Sequence, residues 1–176
     1  MKQQVRRFEK PIVIVALSIL GAVLVAVMVV AIILVYRRSR PQLTALVPRA
    51  VASISQTTQA GPLDVKVDAV REDDKGDPGF MPGTSYHYVI VDMALLNRGR
   101  TSVSMSPVAQ AYLRDVEGTV YQMAPAPTDH PLAAAEMVPG ASAWGEISFD
   151  VPDSAHGLVL YYQVGAYQPA AVNLGR

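Results

Sequence analysis

Two hydrophobic patterns divide the chain. From Pro11 to Tyr36 the sequence runs PIVIVALSILGAVLVAVMVVAIILVY, uncharged throughout. About 20 apolar helical residues cross a bilayer's hydrocarbon core, so this run is long enough to span one with some tilt. From Leu63 onward the period changes to two. In LDVKVDAVR, Leu63, Val65, Val67 and Ala69 alternate with Asp64, Lys66 and Asp68, as expected of a strand with one buried face.

The alternation continues in short segments. SYHYVIVDMALLN places His87, Val89, Val91, Met93 and Leu95 on one face and Tyr86, Tyr88, Ile90, Asp92, Ala94 and Leu96 on the other. Both faces are largely apolar, which predicts a central strand. TSVSM is a short strand. AQAYLRD and TVYQM flank Val116-Glu117-Gly118 and predict a β-hairpin. AWGEISFDV puts Ile147, Phe149 and Val151 inward and Trp144, Glu146, Ser148 and Asp150 on the opposite face; LVLYYQV is the last clear strand. Between them, EDDKGDPGFMPGTS is a loop punctuated by Gly and Pro, and APAPTDHPLAAAEMVPG is a long crossover in which Ala133–Met137 suits one helical turn. About seven strands with no long amphipathic helix predict an all-β fold, an antiparallel sandwich of two packed sheets.

The expected organisation is therefore a basic tail over 1–10, a transmembrane signal-anchor helix over 11–36, a linker over 37–62, a β-sandwich over 63–165 and a patternless tail over 166–176. The apolar run exceeds a signal-peptide core and ends in Tyr36-Arg37-Arg38 instead of small residues, so an uncleaved anchor is expected. Lys2, Arg6, Arg7 and Lys10 precede the run, and Arg37, Arg38 and Arg40 follow it. That near-balance gives little topological direction. The short tail and the long C-terminal domain favour a cytoplasmic N-terminus and an extracytoplasmic domain in the cell membrane. Ser18, Ala22 and Ala26 recur every four residues with Gly21 alongside, a small-residue stripe suited to helix packing in lipid.

Charge sharpens this picture. Formal net charge is zero, but residues 1–40 carry about +6 and residues 41–176 about −6. An acidic C-terminal part excludes nucleic acid as the expected partner, since phosphate contact needs clustered Lys and Arg. With no cysteine in the chain, disulfides, thiolate catalysis and zinc ribbons are excluded.

The hairpin and the segments around it resemble the telokin-like, immunoglobulin-fold domains of uncharacterised extracytoplasmic prokaryotic proteins, similar to a secreted actinobacterial immunoglobulin-like antigen. The residues that carry the likeness are Asn97 after the long strand, Asp115 and Gly118 in the hairpin, Pro139-Gly140 before the penultimate strand, and Phe149, Val151 and Pro152 at its end. The resemblance implies an immunoglobulin-like sandwich, frequent tethering by a lipid or a transmembrane anchor, and no general catalytic residues.

Candidate chemistry is sparse. Glu72, Asp73, Asp74 and Asp77 surround Gly76 and are weak calcium candidates, without EF-hand spacing and with Lys75 among them. The three histidines (His87, His130 and His156) and the scattered methionines raise copper as a thought, but no local motif joins them. Ser142, Ser148 and Ser154 lack a nucleophile elbow, and PGFMPG lacks the Lys-Ser/Thr of a phosphate loop. No catalytic residue and no cofactor is expected. Trp144 is a candidate partner contact or a cap on the end of the sandwich. The expected function is a membrane-anchored, non-catalytic binding or scaffolding module with a protein partner, or an accessory subunit of a membrane complex. The alternative is an envelope carrier of calcium, copper or a small ligand.

Overall fold

The computed structural model describes residues 50–126 and 128–176, together with Met28. The expected membrane helix, with Ser18, Gly21, Ala22 and Ala26, and the basic tail lie outside the described residues. Among the described residues no helix is long and apolar enough to cross a membrane.

The described residues form β1 (Val51–Ser53), β2 (Thr57–Ala60), β3 (Leu63–Asp73), β4 (Tyr86–Asn97), β5 (Val103–Met105), β6 (Ala111–Arg114), β7 (Val120–Gln122), β8 (Ala135–Met137), β9 (Ser142–Pro152), β10 (Val159–Tyr162) and β11 (Ala170–Asn173). A four-stranded sheet in the order β2-β3-β4-β9 faces a five-stranded sheet in the order β1-β11-β10-β6-β7, and β5 and β8 form a ribbon of their own. Alternation decides which side chains meet between the sheets. Val89, Val91, Met93 and Leu95 of β4 pack with Leu113 of β6, Leu160 and Tyr162 of β10 and Val172 of β11, all nearly solvent-free. Each such aliphatic side chain contributes about 1.5–3 kcal/mol on burial. As expected, β4 is central, paired to both β3 and β9, and β6 and β7 form the hairpin.

Four expectations are corrected. β1 and β2 occupy part of the span read as a linker, and with β8 and β11 they raise the count among the described residues from about seven to eleven. The segment of β1 and β2 shows no alternation because both strands lie at sheet edges and only Ala60 is buried. β11 lies in the span read as a patternless tail; its Ala170, Ala171 and Val172 are all buried, a run that period two does not flag. Ala135–Met137 is a strand, not a helical turn, because pairing with β5 sends Met137 into the core; a helical turn forms instead at Pro107–Gln110. Finally, the register shifts between Val67 and Ala69. The extra residue, Asp68, is a β-bulge, and it turns Ala69 outward and Val70 toward the core.

The strands end in two groups of loops. At the proximal pole, where Ala50 leads into β1, lie the β2–β3 turn, residues 98–110, the turn before β9 and the β10–β11 loop. At the distal pole lie the β3–β4 loop, the β6–β7 turn, the β9–β10 turn and the C-terminus. Hydrogen bonds from Val116 N–H to His156 C=O (3.2 Å) and from Asp153 N–H to Ser85 C=O (3.0 Å) tie the distal loops together.

Candidate functional site

At the proximal pole the side chain of Asn97 is fully buried at the end of β4. Its Nδ2 donates to the carbonyls of Thr101 (2.9 Å) and Met137 (2.8 Å), and its Oδ1 accepts from Gly99 N–H (2.8 Å). Its backbone carbonyl accepts from Gly140 N–H at 2.8 Å, where Gly140 sits at φ +82°, a left-handed conformation that favours glycine. Asn97 therefore pins three segments at once. At its edge Arg98 pairs with Asp64, whose other oxygen accepts from Gln59 Nε2. A groove of about 490 Å³ opens beside this pair, between Ala50 and Thr57–Gln59.

At the distal pole the work falls to half-buried carboxylates. Asp115 Oδ1 accepts from Thr119 N–H (2.8 Å), and Oδ2 accepts from the Tyr121 hydroxyl (2.7 Å). Partial desolvation raises the carboxyl's pKa, but these two bonds outweigh it and hold it below the ordinary value. Asp73 Oδ1 accepts from the backbone N–H groups of Gly76 and Lys75, both at 3.0 Å, which also hold its pKa down. Glu72 faces Arg176 at 3.6 Å, and Asp77 bridges to Phe80. Of the acidic set named from sequence, Asp73 is thus turned into its own loop and Glu72 toward the C-terminus. Among the described residues no group of three or more His, Asp or Glu side chains is arranged to hold a metal ion.

The other sequence candidates are dispersed. His87 contacts Asp153 at 3.1 Å, and His156 lies in the β9–β10 turn against its own segment. Met93, Met105 and Met137 fill the core. Ser148 is buried and its hydroxyl is bonded to Ala124 C=O. One oxygen of Asp150, Oδ1, is buried with no protein partner. Trp144 stands beside Ala94 on the outer face of the four-stranded sheet and is 66% exposed, so it does not cap the sandwich. The ring of His130 meets it edge-on at 5.3 Å.

Local sequence patterns missed the clamp on β9. Glu146 accepts from Arg71 Nε (3.3 Å) and Nη2 (3.4 Å) across the sheet, and from Asp129 N–H (2.9 Å) in the crossover. Burial raises its pKa, but Arg71 and the Asp129 amide prevail and lower it. Next to it, a Cβ on Gly145 would lie 2.6 Å from His130 C=O, so only glycine lets the crossover backbone pair with β9. On the outer face of the five-stranded sheet, Tyr112 of β6 and Tyr161 of β10 are cross-strand neighbours. Their rings stack at 5.1 Å with an interplanar angle of 5°, half-buried, with the exposed Arg114 two residues on from Tyr112 on the same face.

The sequence model of a family described as "Domain of unknown function (DUF4352)" matches residues 52–172. Among curated proteins none matches. Solved structures do. The yjhA protein from Bacillus subtilis superposes with a TM-score of 0.57 at 17% identity, over 70% of this chain and 99% of that one. MPT63, a secreted protein from Mycobacterium tuberculosis, gives 0.54 at 17% identity, over 71% of this chain and 98% of that one. A putative lipoprotein, ycdA, from Bacillus subtilis gives 0.50 at 17% identity, over 66% of this chain and 36% of that one. At these identities the shared property is the β-sandwich fold.

Proposed function

The chain belongs to the DUF4352 family, and from that premise we propose that it is a membrane-anchored, non-catalytic recognition module: an immunoglobulin-like sandwich held outside the cytoplasm by the Pro11–Tyr36 span, with its N-terminus in the cytoplasm. The strand order supports the immunoglobulin-like reading. β3-β4-β9 opposite β11-β10-β6-β7 follows the A-B-E and G-F-C-C′ order of such domains, with β1 and β2 added at one edge. The fold shared with a secreted protein and a putative lipoprotein supports the location. The polar groups support a non-catalytic role, since Asn97, Asp115, Glu146 and Ser148 are engaged in holding loops.

The observation that carries the recognition reading is the stacked Tyr112–Tyr161 pair on an open sheet face. Tyrosine offers large, rigid contact area with few rotatable bonds, which suits a protein partner. If the module is a subunit of a larger membrane assembly, the Ser18, Gly21, Ala22 and Ala26 stripe is the second contact. The test uses the full-length chain in its native membrane, with a photo-crosslinking residue at Tyr112 or Tyr161. A discrete adduct of fixed mass, together with cleavage of the domain by protease added from outside, is the expected result. Cleavage only after permeabilisation overturns the orientation, and the lack of any adduct at either position overturns the recognition face.

A further inference from the structure

The exposed large apolar side chains of the sandwich gather at its two poles. Val51 (52%), Val108 (70%), Val138 (55%), Trp144 (66%) and Tyr167 (57%) belong to the proximal end; Phe80, Met81, Tyr86 and Val116 belong to the distal end. Hydrophobic exposure alone does not choose between them, but charge does. The distal apolar side chains sit among Asp73, Asp74, Asp77, Asp115, Glu117 and Asp153, which outnumber Lys75, Arg114 and Arg176 at that pole and which anionic lipid headgroups repel. The proximal loops carry Arg98 and Arg100 against Asp64, paired to Arg98, and the exposed Glu136 opposite Ser104, which leaves them close to neutral where the distal loops are acidic.

These proximal loops are contiguous. The Tyr167 ring lies against Gly61, Pro62 C=O accepts from Arg98 N–H at 2.9 Å, and Asn97 C=O binds Gly140, two residues from Val138. The chain also enters here. Residues 37–50 between the apolar run and Val51 reach at most about 50 Å when fully extended. The 12 residues of β4 alone measure about 40 Å. Bringing the distal pole to the bilayer therefore takes a linker stretched along the whole sandwich, whereas the proximal pole meets the surface with slack to spare.

We infer that the proximal pole is a bilayer-resting surface, on which Val108, Val138, Trp144 and Tyr167 enter the headgroup layer while Arg100 lies against lipid phosphates. Aromatic and arginine side chains suit that layer, and binding grows with the apolar area inserted. This inference rests on the membrane-anchor reading given above. It leaves the Tyr112–Tyr161 face available to a partner and sets the direction in which that face is presented.

Trp144 is the only tryptophan in the chain, so it reports on this surface without labelling. The full-length protein is reconstituted in vesicles of phosphatidylcholine and phosphatidylglycerol with a brominated acyl chain. Emission is then followed against bromine in the lipid and iodide in the water. Quenching by the brominated lipid and protection from iodide are expected. Val138→Asp with Tyr167→Asp abolishes lipid quenching, and Val116→Asp at the distal pole leaves it unchanged. A protein that stays in the vesicles after alkaline carbonate but has Trp144 quenched only by iodide overturns this inference and spares the anchor. Release by carbonate overturns the anchor reading and this inference with it.

Discussion

The loops at the proximal pole are held chiefly by one buried neutral amide, and those at the distal pole by half-buried carboxylates. Asn97 is sealed from water and supplies donors and an acceptor to three segments, so its bonds have no competitor and no charge to screen. Asp115 and Asp73 do similar turn-holding in water, with charge-assisted bonds to backbone N–H groups that solvent and protons can replace. One sandwich thus carries a pole pinned mainly by a group that does not ionise, with the Arg98–Asp64 pair at its edge, and a pole pinned by groups that do. The pole pinned by the amide is the one the chain enters.

The strongest way to break this contrast is to remove the amide. Asn97→Ala leaves Gly99 N–H and the Thr101 and Met137 carbonyls without their side-chain partner, a loss of about 3 kcal/mol or more. Urea unfolding of the detergent-solubilised chain, followed by Trp144 emission, measures it; a loss below about 1 kcal/mol would show that the pole has other supports. A smaller effect is expected from Tyr162→Phe. The Tyr162 hydroxyl, whose pKa is driven upward by burial, donates to Gln110 Oε1 at 2.9 Å, and that oxygen also accepts from Ser106 N–H. Losing one of two donors costs about 1 kcal/mol and loosens the Pro107–Gln110 turn. Calorimetry on the same preparation reads the shift in melting temperature, and an unchanged value would remove this contact from the pole's supports.

How much of this was legible depends on how local the signal is. Of the residues that carried the family likeness, Asp115 and Gly118 prove to be members of a hydrogen-bonded turn with partners within a few residues, whereas Asn97 joins its own turn to Met137 and Gly140 some forty residues on. β4 was readable as a long run apolar on both faces, and β9 because Ile147, Phe149 and Val151 share one face, which placed Trp144 outward. β1 and β11 were not readable, because Val51 pairs with Ala171 far along the chain and neither short strand has a polar face to alternate with. The bulge at Asp68 had no signature either, since the apolar Ala69 keeps the apparent phase while the backbone changes it. Glu146 looked like an ordinary surface carboxylate; Arg71, its partner, is 75 residues away and meets it only through β4.

The smallest expected effect tests the distal half of the contrast. Asp115 and Asp73 have pKa values lowered by folding, so the stability they supply is present above the ordinary carboxylate value and is lost as pH falls through the lowered one. Both loops should therefore hold at neutral pH and loosen below about pH 4, while the Asn97 loops do not respond. Backbone amide protection, referred at each pH to the intrinsic exchange rate, separates the two: Thr119 and Gly76 lose protection in acid, and Gly99 and Gly140 keep theirs. Tyr121→Phe removes one of the two bonds to Asp115, which returns its pKa toward normal and moves the loss at Thr119 to higher pH, with Gly76 unaffected. Equal acid sensitivity at Gly99 and Thr119 would mean that the poles open together, and the division between a buried-amide pole and a carboxylate pole would fail.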